Sequence, residues 1–229
     1  MSNMYQLSKK QWSPGVGCLF GCKYCIRSFQ RTAKRMGHRC RDCYTFTPHA
    51  HPERLERSLP RTTGKEFIFT CANGDISFQR PEFVRQILKV ISSKPEKTFL
   101  IQTKNPAALA QYKFPANVII GITLETNRDV GYCEISKAPV PTVRHNAFKD
   151  LQNPRKMITV EPIMEFDHEE LKKMIVSINP EMVWVGFDTK KSRLPEPTVE
   201  EAERLISELQ AENILVIPKY IPVKGSGSP

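Results

Sequence analysis

Residues 98–125 read TFLIQTKNPAALAQYKFPANVIIGITLE: two short apolar runs joined by a polar, proline-bearing connection. TFLIQT (98–103) and NVIIGITLE (117–125) are rich in Ile, Val, Phe and Thr and too short for amphipathic helices, so they read as strands. Working outward, the same kind of run recurs at EFIFTCA (66–72), KMITVEP (156–162), MVWVGF (182–187) and ILVIPKY (214–220). Helical patterns lie between them. PEFVRQILKVI (81–91) spaces Phe83, Ile87 and Ile91 by four, with Pro81 suited to a first turn. HEELKKMIVSI (168–178) follows Asp167, a good N-cap, and TVEEAERLISELQAE (198–212) opens with a Thr198–Glu201 capping box.

Strands alternating with helices predict a parallel α/β sheet, and strands this apolar are expected to be covered on both faces. A further strand ahead of Trp12 would bring the count to seven. The expected fold is therefore a partial (β/α) barrel of about six to seven parallel strands, since seven suit an open barrel better than a closed one of about eight. Chemistry in such folds gathers at the C-terminal ends of the strands. The polar residues expected there are Asn73, Gly74, Asp75, Gln102, Thr103, Lys104, Glu125, Glu161, Asp188 and Lys219.

With 229 residues, 40% of them hydrophobic, the chain can build one sizeable core, and residues 1–224 are expected to form a single domain. The segment 38–65 has no clear period and carries two cysteines, three histidines and three prolines, so it reads as an insertion after the first helix. Residues 225–229, GSGSP, read as a flexible tail. No apolar stretch approaches the length of a membrane span and no signal core opens the chain, which leads us to expect a cytoplasmic location and no membrane partner.

The net charge of +10 is unevenly distributed. Residues 1–65 contain 13 Lys and Arg against 3 Asp and Glu, whereas residues 66–229 contain 21 of each. A basic third of this kind fits an anionic partner such as nucleic acid, or simply a solvated face. Five of the seven cysteines fall between Cys18 and Cys43. An odd count in a chain of this size points to metal or redox chemistry rather than a disulfide framework.

Residues 17–25, GCLFGCKYC, space three cysteines as Cys-x3-Cys-x2-Cys. Cys18, Cys22 and Cys25 can bind three irons of a [4Fe–4S] cubane, leaving the fourth iron for an exchangeable ligand. Gly17 and Gly21 suit a loop wrapped closely around such a cluster. The rival reading takes Cys22, Cys25, Cys40 and Cys43 as a four-cysteine zinc knuckle in a nucleic-acid-binding module. Tyr24, Gly21 and the barrel pattern downstream favour the first. Cys40 and Cys43 could also form a second metal site with His38, His49 or His51: a Cys2His2 set suits zinc, and an auxiliary cluster would need more thiolates. Cys133 is a catalytic candidate as a hydrogen-atom donor, while Cys71, inside a strand, reads as a small apolar residue. Lys104 and Lys219 could each hold a carboxylate or phosphate, and Trp12 and Trp184 read as packing residues.

The motif with Tyr24 beside its third cysteine resembles that of the radical S-adenosylmethionine (SAM) superfamily, and the downstream chain resembles that superfamily's partial barrel over nearly its whole length. Asn73-Gly74-Asp75 stands where the family has its SAM-amino-group motif, usually Gly-Gly-Glu. GITLE (121–125) resembles the late-strand motif around adenine and ribose. The combination WSPGVGC, NGD, QTKNP, NVIIGITLE, VEPI and WVGF is similar to a phage- and prokaryote-associated radical-SAM-like family, itself distantly similar to spore photoproduct lyase. The resemblance implies that SAM completes the cluster on Cys18, Cys22 and Cys25 and is held near Tyr24, Asn73, Gly74, Asp75, Gln102, Lys104, Glu125 and Glu161. It further implies reductive cleavage of SAM to a 5′-deoxyadenosyl radical that abstracts hydrogen from a substrate, with a flavodoxin- or ferredoxin-like electron donor. The basic third adds the expectation of a nucleic-acid, nucleotide or other anionic substrate.

Overall fold

The computed structural model of the protein describes residues 5–25, 30, 35, 40–153 and 155–222. The helix expected directly after the cysteine loop, His38, and the tail from 225 lie outside them. Seven strands form one parallel sheet: β1 (Ser8–Trp12), β4 (Phe67–Thr70), β5 (Phe99–Thr103), β6 (Val118–Thr123), β7 (Lys156–Val160), β8 (Met182–Val185) and β9 (Val216–Pro218), in that spatial order. The sheet curls into a half-barrel. A separate antiparallel pair, β2 (Gly15–Val16) with β3 (His49–Ala50), sits at the exit of β1. The helices are α1 (Arg41–Thr45), α2 (Pro81–Ser92), α3 (Pro141–Asp150), α4 (His168–Ile178) and α5 (Val199–Ala211).

Alternation along the strands sorts their side chains into two layers. Ile68, Ile101, Ile120, Ile158, Val183 and Val216 face outward and pack under the helices. Phe67, Phe69, Leu100, Ile119, Met157, Met182 and Trp184 face inward and fill the barrel floor. Fully burying one such side chain contributes roughly 1.5–3 kcal/mol. Toward the C-terminal ends the inward positions turn polar, at Gln102, Thr123, Thr159, Glu161 and Lys219. Tyr5 plugs the boundary between the two zones. Its hydroxyl donates to Gln102 Oε1, and Thr159 Oγ1 donates to it at 2.9 Å. Strands β4–β9 are thus mostly apolar at the bottom and their inner face turns polar at the mouth, whereas the edge strand β1, SKKQW, is polar along most of its length.

Three local findings differ from the sequence reading. Helix α3 was not expected: its buried residues include Arg144 and His145 beside Phe148, so polar side chains occupy the inward stripe and no apolar period marks it. Asp167 stands at the N-cap of α4 but makes no capping hydrogen bond, because its carboxylate pairs with Arg128 at 3.0 Å instead. Cys71 lies just past β4 rather than inside it, buried and at φ 54°. The Thr198–Glu201 capping box and Pro81 at the start of α2 are found as expected.

Within 40–65 the chain is folded against β1. The Trp12 indole donates to the Arg54 carbonyl at 2.8 Å, and the Arg54 guanidinium donates to the Ser13 carbonyl at 2.8 Å. Leu59 joins the outer core beneath Trp12. No helix among the described residues is long and apolar enough to cross a membrane.

Candidate active site and metal centre

The cysteine loop leaves β2 at the C-terminal mouth of the half-barrel. Gly17 makes a parallel bridge to Gly74, its N–H donating to the Asn73 carbonyl at 3.0 Å while its own carbonyl accepts from Asp75 N–H at 3.1 Å. This approach needs both glycines. A Cβ on Gly74 would lie 2.4 Å from the Gly17 carbonyl oxygen, and one on Gly17, at φ +91°, would lie 2.3 Å from that of Thr47. The NGD segment therefore fixes where the loop starts. Asp75 is spent within the chain: it accepts from Thr103 Oγ1 (2.7 Å), the Lys104 amide (2.8 Å) and the Ser77 amide (3.0 Å). It locks the end of β5 to the turn after β4.

Cys18, Cys22 and Cys25 share one small apolar pocket with Phe20, Phe78, Tyr132 and Ala138. The loop is pinned on its far side by Lys23 N–H to the Ile135 carbonyl (3.0 Å) and Lys137 N–H to the Phe20 carbonyl (2.8 Å). Cys22 Sγ lies 3.1 Å from Ser136 Oγ. Burial pushes the Cys18 thiol far up, with the Asp75 charge adding to it; burial and the neighbouring Cys22 push Cys25 up to about 12. Such thiols become thiolates only when a cationic centre compensates them. The three do not gather within 4.8 Å as ligands of one ion would. A cubane takes one thiolate per iron, so three thiols on one loop are a donor set that fits a cluster.

Tyr24 ties this loop to the barrel through Glu125, which lies just past β6 and is fully buried. Glu125 Oε1 accepts from the Tyr24 hydroxyl, from Lys104 Nζ and, at 3.0 Å, from the Tyr132 hydroxyl. Its Oε2 accepts from Arg144 at 2.8 Å. Burial alone would raise the carboxyl pKa, but Arg144 and then Lys104 outweigh it and hold the group well below the usual range. Lys104 Nζ also stands 5.1 Å over the Tyr24 ring, and Arg144 lies 4.8 Å over Tyr132. Arg144 and Tyr132 carry no sequence signal, since one sits in a helix without an apolar stripe and the other is a lone tyrosine in a loop. Across the mouth, Glu161 pairs with Lys219, and burial raises its pKa against that partner. Gln102 donates to Thr123 Oγ1 at 2.9 Å. Cys133 is exposed in a short turn beside Tyr132.

The second cysteine pair has its own surroundings. Cys40, Cys43, His49 and His51 bring one donor atom each to within 4.8 Å of one another, a group able to hold a metal ion. The structure does not join Cys22 and Cys25 to this group, so the knuckle pairing gains no support from geometry. Trp12 and Trp184 are both buried in the core, as packing residues should be.

A family model described as "Protein of unknown function (DUF5131)" matches residues 4–193. No curated protein matches the chain by sequence. Among solved structures, a radical SAM methyltransferase from Sphaerobacter thermophilus superposes with a TM-score of 0.55 at 15% identity, over 95% of this chain and 67% of that one. At that identity the likeness establishes a common fold.

Proposed function

The chain belongs to the DUF5131 family, and on that premise we propose that it is a radical SAM enzyme whose Cys18, Cys22 and Cys25 hold a [4Fe–4S] cluster. One observation carries the reading: three buried or half-buried cysteines of one loop pack together at the C-terminal mouth of a half-barrel that shares its fold with a radical SAM methyltransferase. Bound there, the cluster with SAM on its open iron would supply reductive cleavage of the sulfonium and a 5′-deoxyadenosyl radical. The protein's own groups do the positioning. Tyr24, anchored on Glu125, fixes the stretch between the second and third cysteines, and the Gly17–Gly74 bridge fixes the first. The mouth offers Lys104, Lys219 and Glu161, each partly exposed, as partners for the carboxylate, amino and ribose groups of SAM, while the buried Glu125 holds Lys104 and Tyr24 in place.

The substrate class we favour is anionic, nucleic acid or nucleotide, because the excess positive charge lies in the third of the chain that bears the cysteine loop. A flavodoxin- or ferredoxin-like protein would donate the electron. Anaerobic reconstitution tests the core of the proposal. Wild-type protein should carry about four irons on this site and, with dithionite, convert SAM to 5′-deoxyadenosine. Cys18→Ala should lose both. A loaded, reducible cluster that neither binds nor cleaves SAM refutes the reading.

A further inference from the structure

The group formed by Cys40, Cys43, His49 and His51 lies outside the site just described and is built by a different stretch of chain. Cys40 caps α1 and Cys43 sits within it, while His49 begins β3 and His51 follows it. Four approaches define the set. His49 Nε2 lies 3.3 Å from Cys40 Sγ and 3.3 Å from Cys43 Sγ, His51 Nε2 lies 3.2 Å from Cys43 Sγ, and the two Nε2 atoms are 2.9 Å apart. A tetrahedral ion with Zn–S of about 2.3 Å and Zn–N of about 2.0–2.1 Å requires edges of roughly 3.6 Å for S–N and 3.3 Å for N–N. The observed edges are a few tenths of an ångström tighter.

The tautomers give an independent argument. His49 Nδ1 faces the Thr47 carbonyl at 2.7 Å and His51 Nδ1 faces the Glu53 carboxylate at 3.0 Å. Both partners only accept, so each Nδ1 carries the proton. As neutral rings they would present both Nε2 lone pairs to the same space, with the two atoms 2.9 Å apart, and a cation among the four donors would accept both. Carbonyl and carboxylate partners on the far nitrogen are what orient metal-bound histidines. The Cys43 amide also points at Cys40 Sγ, at 3.5 Å.

We propose that these four residues bind one zinc ion, and that this ion braces the entrance to the cysteine loop. Two thiolates and two imidazoles in a closed tetrahedron select zinc among common ions. A two-iron cluster with histidines on one iron would need the sulfurs and nitrogens separated onto two centres, whereas here both sulfurs lie within 3.3 Å of His49 Nε2. The brace follows from what the ligands touch. His49 pairs with Val16 across β2–β3. Thr47, the acceptor for His49, abuts Gly17. The Phe46 carbonyl, three residues after Cys43, accepts from the Cys18 amide at 3.2 Å. The coordination site is closed, so its role is to hold chain rather than to react. Only the significance of the brace for catalysis rests on the radical SAM reading; zinc binding and the brace itself do not.

The test uses the full chain with its iron removed by oxidation, so that the cluster cannot affect the result. Elemental analysis should find about one zinc per chain. Cobalt exchanged into the site should show the intense visible bands of a tetrahedral ion and thiolate charge transfer. Glu53→Gln should weaken zinc binding by about 10–100-fold while leaving the four ligands in place. Hydrogen exchange of zinc-loaded and chelator-treated wild type then reads the brace: the amides of Gly17 and Cys18 should exchange at least about tenfold faster without the ion, with β5–β7 unchanged. Absence of zinc together with absence of a tetrahedral cobalt spectrum overturns the site. Zinc bound without any change at Gly17 and Cys18, or protection lost equally across β5–β7, overturns the brace.

Discussion

Replacing Glu125 by glutamine is the sharpest probe of how the loop is held. The carboxylate is fully buried and balances Arg144, itself fully buried, together with Lys104. The Arg144 guanidinium has no other hydrogen-bond partner among the described residues: its Nε and Nη1 are buried without one. Glutamine keeps the size but leaves a guanidinium charge stranded, and breaking a buried pair from one side costs about 3–5 kcal/mol. For a chain of this length that corresponds to a fall in Tm of roughly 6–20 °C. The double variant Glu125→Gln/Arg144→Met removes the fully buried guanidinium and leaves only Lys104, which reaches the edge of solvent, without its carboxylate; it should recover at least about 2 kcal/mol of the loss. The pH dependence has a definite sign. The folded carboxyl titrates below its unfolded value, so its contribution is full above about pH 4.3 and disappears as the pH falls toward the depressed folded value. Wild type should therefore lose stability on acidification more steeply than Glu125→Gln. Urea titration of the metal-free protein from neutral pH into acid measures both effects. A loss below about 1 kcal/mol at neutral pH, the range of an exposed pair, would refute the buried-hub account.

Two further outcomes follow from the same geometry. Gly17→Ala forces a Cβ to 2.3 Å from a backbone oxygen and should abolish cluster loading, whereas Gly21→Ala, at φ +60° with nothing within 4 Å, should cost only about 1–2 kcal/mol and keep most of the iron; iron analysis after anaerobic reconstitution separates them, and equal loss would contradict the close-approach argument. Tyr5→Phe removes the hydroxyl that joins Gln102 and Thr159 and should lower stability by about 1–3 kcal/mol without altering iron content, read by denaturant melts and metal analysis on the same samples.

The parts legible in sequence were those with a period. Each apolar run from 66 onward became a strand, shortened by one to four residues at one or both ends; Glu125 and Glu161, for example, lie past the ends of β6 and β7 at the mouth. Helices α2, α4 and α5 advertise an apolar stripe and are found where expected. Helix α3 does not, since the side chain it buries most deeply toward the site is a charged one, and a buried arginine looks like a surface arginine until its partner is known. The partner, Glu125, lies nineteen positions away in sequence. The second metal group was half visible: two cysteines and two histidines stood close together, but nothing in their spacing said that the histidines would turn away from the first cysteine pair. That depends on the β2–β3 pairing, two residues per strand, which is too short to leave a pattern.

Cys22-x2-Cys25 and Cys40-x2-Cys43 have the same spacing, and what separates them is how each surrounding stretch completes coordination. Around the second pair the chain supplies two imidazoles aimed at the same point, with carbonyl and carboxylate acceptors holding their far nitrogens. On the zinc proposal these four donors would fill a tetrahedron and leave no position for a substrate. Around the first pair the chain supplies one more thiol and spends its remaining polar groups elsewhere: Tyr24 on Glu125, Asp75 on the end of β5. A donor set one ligand short can bind metal tightly only if something else completes it. The incomplete set opens at the barrel mouth, while the complete one is paired to the strand that leads into it. Closed sites hold structure and open sites do chemistry. On that principle the pair starting at Cys40 serves the pair starting at Cys22, and its loss should be felt first in the backbone of Gly17 and Cys18.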